Sequence, residues 1–178
     1  MSAAQVAALY VRGDSVYKSL GVDCWDIDRD ARMYAGPGPV VAHPPCRAWG
    51  RLRSFAKPRK DEKKLGMLAI WAVRKFGGVV EHPASSLLFM AAGGLRPGQA
   101  RDAFGGWIMP VNQQDFGHSA PKATWLYVVG LLPADLPVFG VRLGVAQGRI
   151  ANMSKRQREA TPEAFARWLI DIAARCAR

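Results

Sequence analysis

Pro39-Val40-Val41-Ala42-His43-Pro44-Pro45-Cys46-Arg47-Ala48-Trp49-Gly50 sets a short apolar run against a hard stop. Two adjacent valines in so brief a run read as a buried strand, and the Pro44-Pro45 pair must end it because proline cannot donate to a sheet ladder. Cys46 is therefore expected on a stiff loop just past the strand's carboxyl end, where open α/β sheets hold their ligands. Arg47, Arg51 and Arg53 follow closely, so the thiol is expected to feel positive charge and to favour the reactive thiolate.

Working outward, residues Leu65, Leu68, Ala69, Ala72, Val73 and Phe76 recur at steps of three and four, which predicts an amphipathic helix from Asp61 to Phe76 closed by Gly77-Gly78. Val79-Val80-Glu81-His82-Pro83 then repeats the design of strand, polar pair and proline. A strand-helix-strand unit returns the chain to a parallel neighbour, so Glu81 is expected beside the strand that precedes Cys46, the two side chains facing one crevice.

Toward the amino terminus, Ala7 to Val11 is a candidate strand, Arg12-Gly13-Asp14 a turn, and Ser15 the cap of a short helix reaching Leu20. Val22 to Ile27 alternates like a second strand and ends acidic, with Asp26 and Asp28. A carboxylate there commonly meets a ribose in nucleotide-binding sheets. Toward the carboxyl terminus, Trp107 to Val111 and Trp125 to Gly130 read as strands flanking a polar loop, 113–124, rich in donors. Turn residues fill 131–147, and 148–158 is basic and exposed. Thr161 is expected to cap a helix that begins at Pro162 and buries Phe165, Trp168, Leu169, Ile172 and Ala173. The pattern predicts one α/β domain with a Rossmann-like, doubly wound, mostly parallel sheet.

The 178 residues suit one domain of ordinary size. Lys and Arg number 25 against 14 acidic residues, a formal charge of +11 that should attract polyanions, nucleic acid foremost. No apolar run approaches the roughly 18 residues of a membrane span, and no secretory signal pattern opens the chain, so a cytoplasmic protein is expected. Cys24, Cys46 and Cys176 are odd in number and far apart, which argues against a disulfide scaffold. His43 and Cys46, with His82 or His118, lack paired metal-ligand spacing, and no metal is expected.

The order of these stretches resembles the cytosine-5 DNA methyltransferase family, most closely its small phage-type members. Pro44-Pro45-Cys46 is similar to that family's nucleophile loop and Val80-Glu81-His82-Pro83 to its Glu-Asn segment. Asp26 to Ala31 is similar to its acidic second-strand stretch, Phe116-Gly117-His118 through Gly130 to its aromatic-glycine segment and following strand, and Arg158 to Leu169 to its Thr-Pro helix. The resemblance runs from about Leu9 to Leu169. It implies a DNA cytosine-C5 modifying enzyme in which the Cys46 thiolate adds to C6, with Glu81, as the protonated acid, holding the N3 and N4 edge. It also implies S-adenosylmethionine, met by Gly13, Asp14, Asp26, Asp28 and Pro44, and a flipped or single-stranded cytosine in DNA met by Arg47, Arg51, Arg53, His82, His118, Lys122 and Thr124. If phage-encoded, the enzyme would work in the host cytoplasm.

Three departures shape the expectation. The glycine-rich first loop is reduced to Arg12-Gly13-Asp14-Ser15, which leaves a different one-carbon donor, or none, open as alternatives. Lys122-Ala123-Thr124-Trp125 stands where the family has Gln-x-Arg-x-Arg. About thirty residues lie between Gly130 and Thr161, too few for the separate target-recognition domain of long members. A free pyrimidine nucleotide as substrate, or a catalytically silent DNA-binding accessory role, are the other readings compatible with these residues.

Overall fold

The structure, a computed structural model, describes residues 5–140 and 148–176. A single six-stranded sheet organises them: β1 (Ala7–Leu9), β2 (Asp23–Trp25), β3 (Val40–Ala42), β4 (Gly78–Pro83), β5 (Trp107–Asn112) and β6 (Ala123–Val129), in the order β2-β1-β3-β4-β6-β5. The β1/β2, β1/β3 and β3/β4 pairs are parallel, whereas β6 runs antiparallel to both β4 and β5. The sheet is thus Rossmann-like and mostly parallel, with an antiparallel hairpin at one side.

Residues alternate between its two faces, as a strand's period of two requires. Ala8, Val41, Val79, Leu126 and Val128 face the layer of α1 (Val16–Ser19) and α5 (Glu163–Arg175), packing with Tyr17, Phe165 and Leu169. Ala7, Leu9, Val40, Ala42, Val80, Tyr127 and Val129 face the layer of α2 (Glu62–Phe76) and α3 (Leu88–Ala91), packing with Ile70, Val73 and Phe89. Both faces are covered, which is why the inner strands carry almost no polar residue before their carboxyl ends.

The helices start and stop much as their sequences predict. Ser15 accepts from the Tyr17 amide at the start of α1, and α2 ends at Gly77, φ 80°. Leu68, counted in the buried stripe of α2, is instead exposed. Pro162 occupies the cap position of α5, so Thr161 lies one residue outside and its hydroxyl caps nothing there. Within the basic 148–158 stretch, Ser154 and Gln157 form a reciprocal capping box that opens a short helix, α4 (Lys155–Glu159). Part of the turn-rich reach 131–147, residues 141–147, lies outside the described residues. No described helix is long and apolar enough to cross a membrane.

Candidate active site

The switch in strand order falls between β1 and β3: the chain leaves β1 for β2 on one side and returns as β3 on the other. An open cleft of about 290 Å³ lies there, at the carboxyl ends of the strands, lined in part by Tyr10, Asp26, Asp30, Arg32, Pro45 and Arg59. Tyr10 holds φ at 61°, a left-handed value uncommon outside glycine, where β1 turns into this cleft.

Beside it, strand alternation selects the polar cluster. His43 follows the parity of Val41, and Glu81 that of Val79, so both aim at the α1 face. There His43 Nδ1 meets Glu81 Oε2 at 2.9 Å, and His43 Nε2 meets the hydroxyl of buried Tyr17 at 2.9 Å. The Gln113 side-chain amide donates to the other carboxylate oxygen, Oε1, at 2.9 Å and to Thr124 Oγ1 at 3.1 Å. Burial alone would raise the Glu81 carboxyl. The His43 hydrogen bond and the charge of Lys122 outweigh it and push the group down to about 2. Glu81 is therefore favoured as a carboxylate in the free protein, whereas the protonated acid that the resemblance implies belongs to the state with a base bound.

His82 has the opposite parity and turns under the cysteine loop, edge-on to Phe89, with 1% of its surface exposed. Neither ring nitrogen makes a hydrogen bond of good geometry among the described residues. Burial is the leading influence and pushes the imidazole down to about 4, although the Glu81 charge and the nearby Pro45 and Pro44 carbonyls favour its protonated form. His82 is thus a neutral prop below the loop, out of reach of a substrate's phosphates.

Cys46 opens the turn that follows Pro45, its carbonyl accepting from the Trp49 and Gly50 amides at 3.0 and 2.7 Å. The residue has an exposed outer surface, yet its sulfur is crowded enough that desolvation leads in raising the thiol pKa, followed by the carboxylates of Glu81 and Glu159. Lys122 opposes them only in part. The thiolate expected from neighbouring arginines is not favoured, although Arg47 does interact with the charge of the sulfur. Arg47 makes a two-pronged bond to fully buried Glu62, 2.8 Å at each prong, while Arg51 and Arg53 are exposed on the following loop. Arg47 is consequently a brace between the cysteine turn and α2 rather than a free phosphate ligand.

Of the residues expected at a cofactor, only Asp26 lines the cleft, and its oxygens already serve Lys18 Nζ at 2.6 Å and the amides of Asp28 and Arg29 at 3.1 Å. Asp28 is exposed; Gly13 stands in open space with no atom near the position of a Cβ; Asp14 pairs with Arg12 and Arg156; Pro44 is buried behind Pro45. His118 Nδ1 lies 2.7 Å from the Ala120 carbonyl and closes its own loop. Thr124 is fully buried and donates to the Lys122 carbonyl, so it positions that residue and Gln113 instead of meeting a substrate.

His43, Tyr17 and Gln113 complete the cluster without having been singled out as its members. Two clues to them exist: His43 shares the parity of Val41 at a strand end, and Gln113 opens a loop already marked by its donors. Among the described residues no group of three or more His, Cys, Asp or Glu is arranged to hold a metal. No family model and no curated protein matches the chain.

Proposed function

We propose that the protein modifies C5 of a cytosine in DNA, most simply as a methyltransferase, with Cys46 as nucleophile and Glu81 as the group that meets the N3 edge of the ring. The observation that carries this reading is the juxtaposition of the two. Cys46 follows β3 and Glu81 lies in the carboxyl-terminal half of its parallel neighbour β4, and the Glu81 charge is near enough to raise the Cys46 thiol pKa.

The cytosine C5 is a poor nucleophile, so the sulfur must first add to C6, forming an S–C6 bond and moving an electron pair onto the ring. The proton that the Cys46 thiol gives up passes to the Glu81 carboxylate, which has His43 hydrogen-bonded behind it, and on to N3 as that charge develops. Lys122 is the nearby cation that favours both the Glu81 carboxylate and the Cys46 thiolate. After C5 has formed its new bond, it loses its hydrogen as a proton, the S–C6 bond breaks, N3 returns its proton and Cys46 is released. S-adenosylmethionine supplies an electrophilic methyl group for such a reaction. In the cleft Asp30 and Asp61 are ion-paired with Arg32 and Arg59, so these residues would hold a ligand carrying both signs of charge only by exchanging those pairs for contacts to it. A cytosine stacked in a duplex cannot present C6 to a thiol, so the base must be flipped or unpaired.

An oligonucleotide containing 5-fluorocytosine tests the reading, because fluorine at C5 cannot leave as a proton does. With S-adenosylmethionine present, the wild-type protein should retain the oligonucleotide in a denaturing gel, with the added mass on Cys46, and Cys46→Ser should not. Failure of the wild type where a control enzyme is trapped would overturn it. A silent DNA-binding role is favoured by one observation, the raised thiol pKa, and predicts no adduct.

A further inference from the structure

The Cys46 turn reaches α2 through residues 51–60, whose side chains face water almost throughout. Phe55 is 85% exposed and Leu52 64%, although apolar side chains of this size gain stability when removed from water. Around them stand Arg51, Arg53, Lys57 and Lys60. None of these four forms an ion pair among the described residues; the Arg53 guanidinium reaches only the Gly50 carbonyl, at 3.5 Å. The acids at the loop's end are already paired, Glu62 with Arg47 and Asp61 with Arg32 and the loop's own Arg59. The loop therefore presents unneutralised positive charge around a bare aromatic ring.

Single-stranded nucleic acid matches that pair of features. Its phosphates suit the cations, and its unstacked bases offer a flat face to the ring. A duplex keeps its base faces inside its own stack, leaving nothing for an exposed ring to cover unless a step is pried open. Cations beside exposed apolar groups also suit an anionic lipid surface. What favours nucleic acid is the loop's root, since its first residues continue directly from the turn that carries Cys46. A strand lying along the loop is thereby led to the Cys46 and Glu81 cluster.

We infer that the 51–60 loop is a binding element for single-stranded nucleic acid, in which Phe55 stacks on a base while Arg51, Arg53 and Lys57 hold the flanking phosphates. This deepens the proposed function by naming the strand state of its substrate, but its test is binding alone. The full chain carrying Cys46→Ser, which cannot form an adduct, is titrated against labelled single strands of about 12 nucleotides, the matching duplex and anionic phospholipid vesicles. Each oligonucleotide is measured between about 50 and 200 mM salt.

The single strand should bind roughly tenfold or more tightly than the duplex. Phe55→Ala should weaken that binding by roughly tenfold without changing the salt slope, and Phe55→Trp should restore it. Arg51→Ala should instead flatten the salt slope by roughly 0.7. Equal or tighter binding of the duplex, indifference to Phe55→Ala, or Phe55-dependent binding to vesicles without binding to the single strand would each overturn the inference. The adduct experiment on the wild type is judged separately, so a loop that binds and a cysteine that does not react remain distinct results.

Discussion

At the scale of single residues, the site is ruled by which charges a group meets in space. Cys46 is followed in the chain by three arginines within seven positions, of which Arg47 interacts with its charge, yet the thiol responds first to burial and then to Glu81 and Glu159, both distant in sequence. Removing the Glu81 charge should accordingly lower the thiol pKa. Glu81→Gln is expected to speed alkylation of Cys46 by iodoacetamide at pH 8 roughly two- to fivefold, while abolishing the fluorocytosine adduct. Slower alkylation would mean that Glu81 acts on the sulfur other than through its charge. Cys46 and Glu81 are legible in the sequence because each ends an apolar run at a proline. His43, Tyr17 and Gln113 are much less so: their hydrogen bonds cross 38, 26 and 32 positions of chain, and no local pattern encodes such a pairing.

Elements were easier to read than their directions. The three- and four-residue spacing in α2 and the paired valines of β3 and β4 depend only on local periodicity, and the structure has all three elements. The run Trp125 to Val129 reads identically whichever way the strand points, so its antiparallel insertion between β4 and β5 was hidden. The junction of α2 and β4 is the least forgiving of these connections. Gly78 has φ 116°, and a Cβ there would stand 2.0 Å from the Val40 carbonyl oxygen of the neighbouring strand. That contact is with backbone and cannot be relieved by a rotamer change. Gly78→Ala should therefore cost about 3–4 kcal/mol in urea unfolding, or prevent folding. A loss below about 1 kcal/mol would show that β3 and β4 can slide apart at this point.

For the whole molecule, the buried cluster makes stability a function of pH. An unfolded chain protonates His82 near 6.5, whereas the folded one waits until about 4, so between those values the unfolded state binds more protons and stability falls as pH falls. Glu81 acts in the same direction lower down, from its ordinary 4.5 to about 2. Urea unfolding should show a loss of up to about 3 kcal/mol between pH 6.5 and 4, and His82→Leu should remove most of it. A wild-type profile flat across that window would refute the burial of a neutral imidazole. The sheet's margins matter at this scale too. One outer strand, β2, is only three residues long, and the other, β5, carries exposed Pro110 in its middle. A proline has no amide hydrogen to offer a newcomer, and three residues give too short a template for one, so neither border invites another chain to add a strand and extend the sheet into an aggregate.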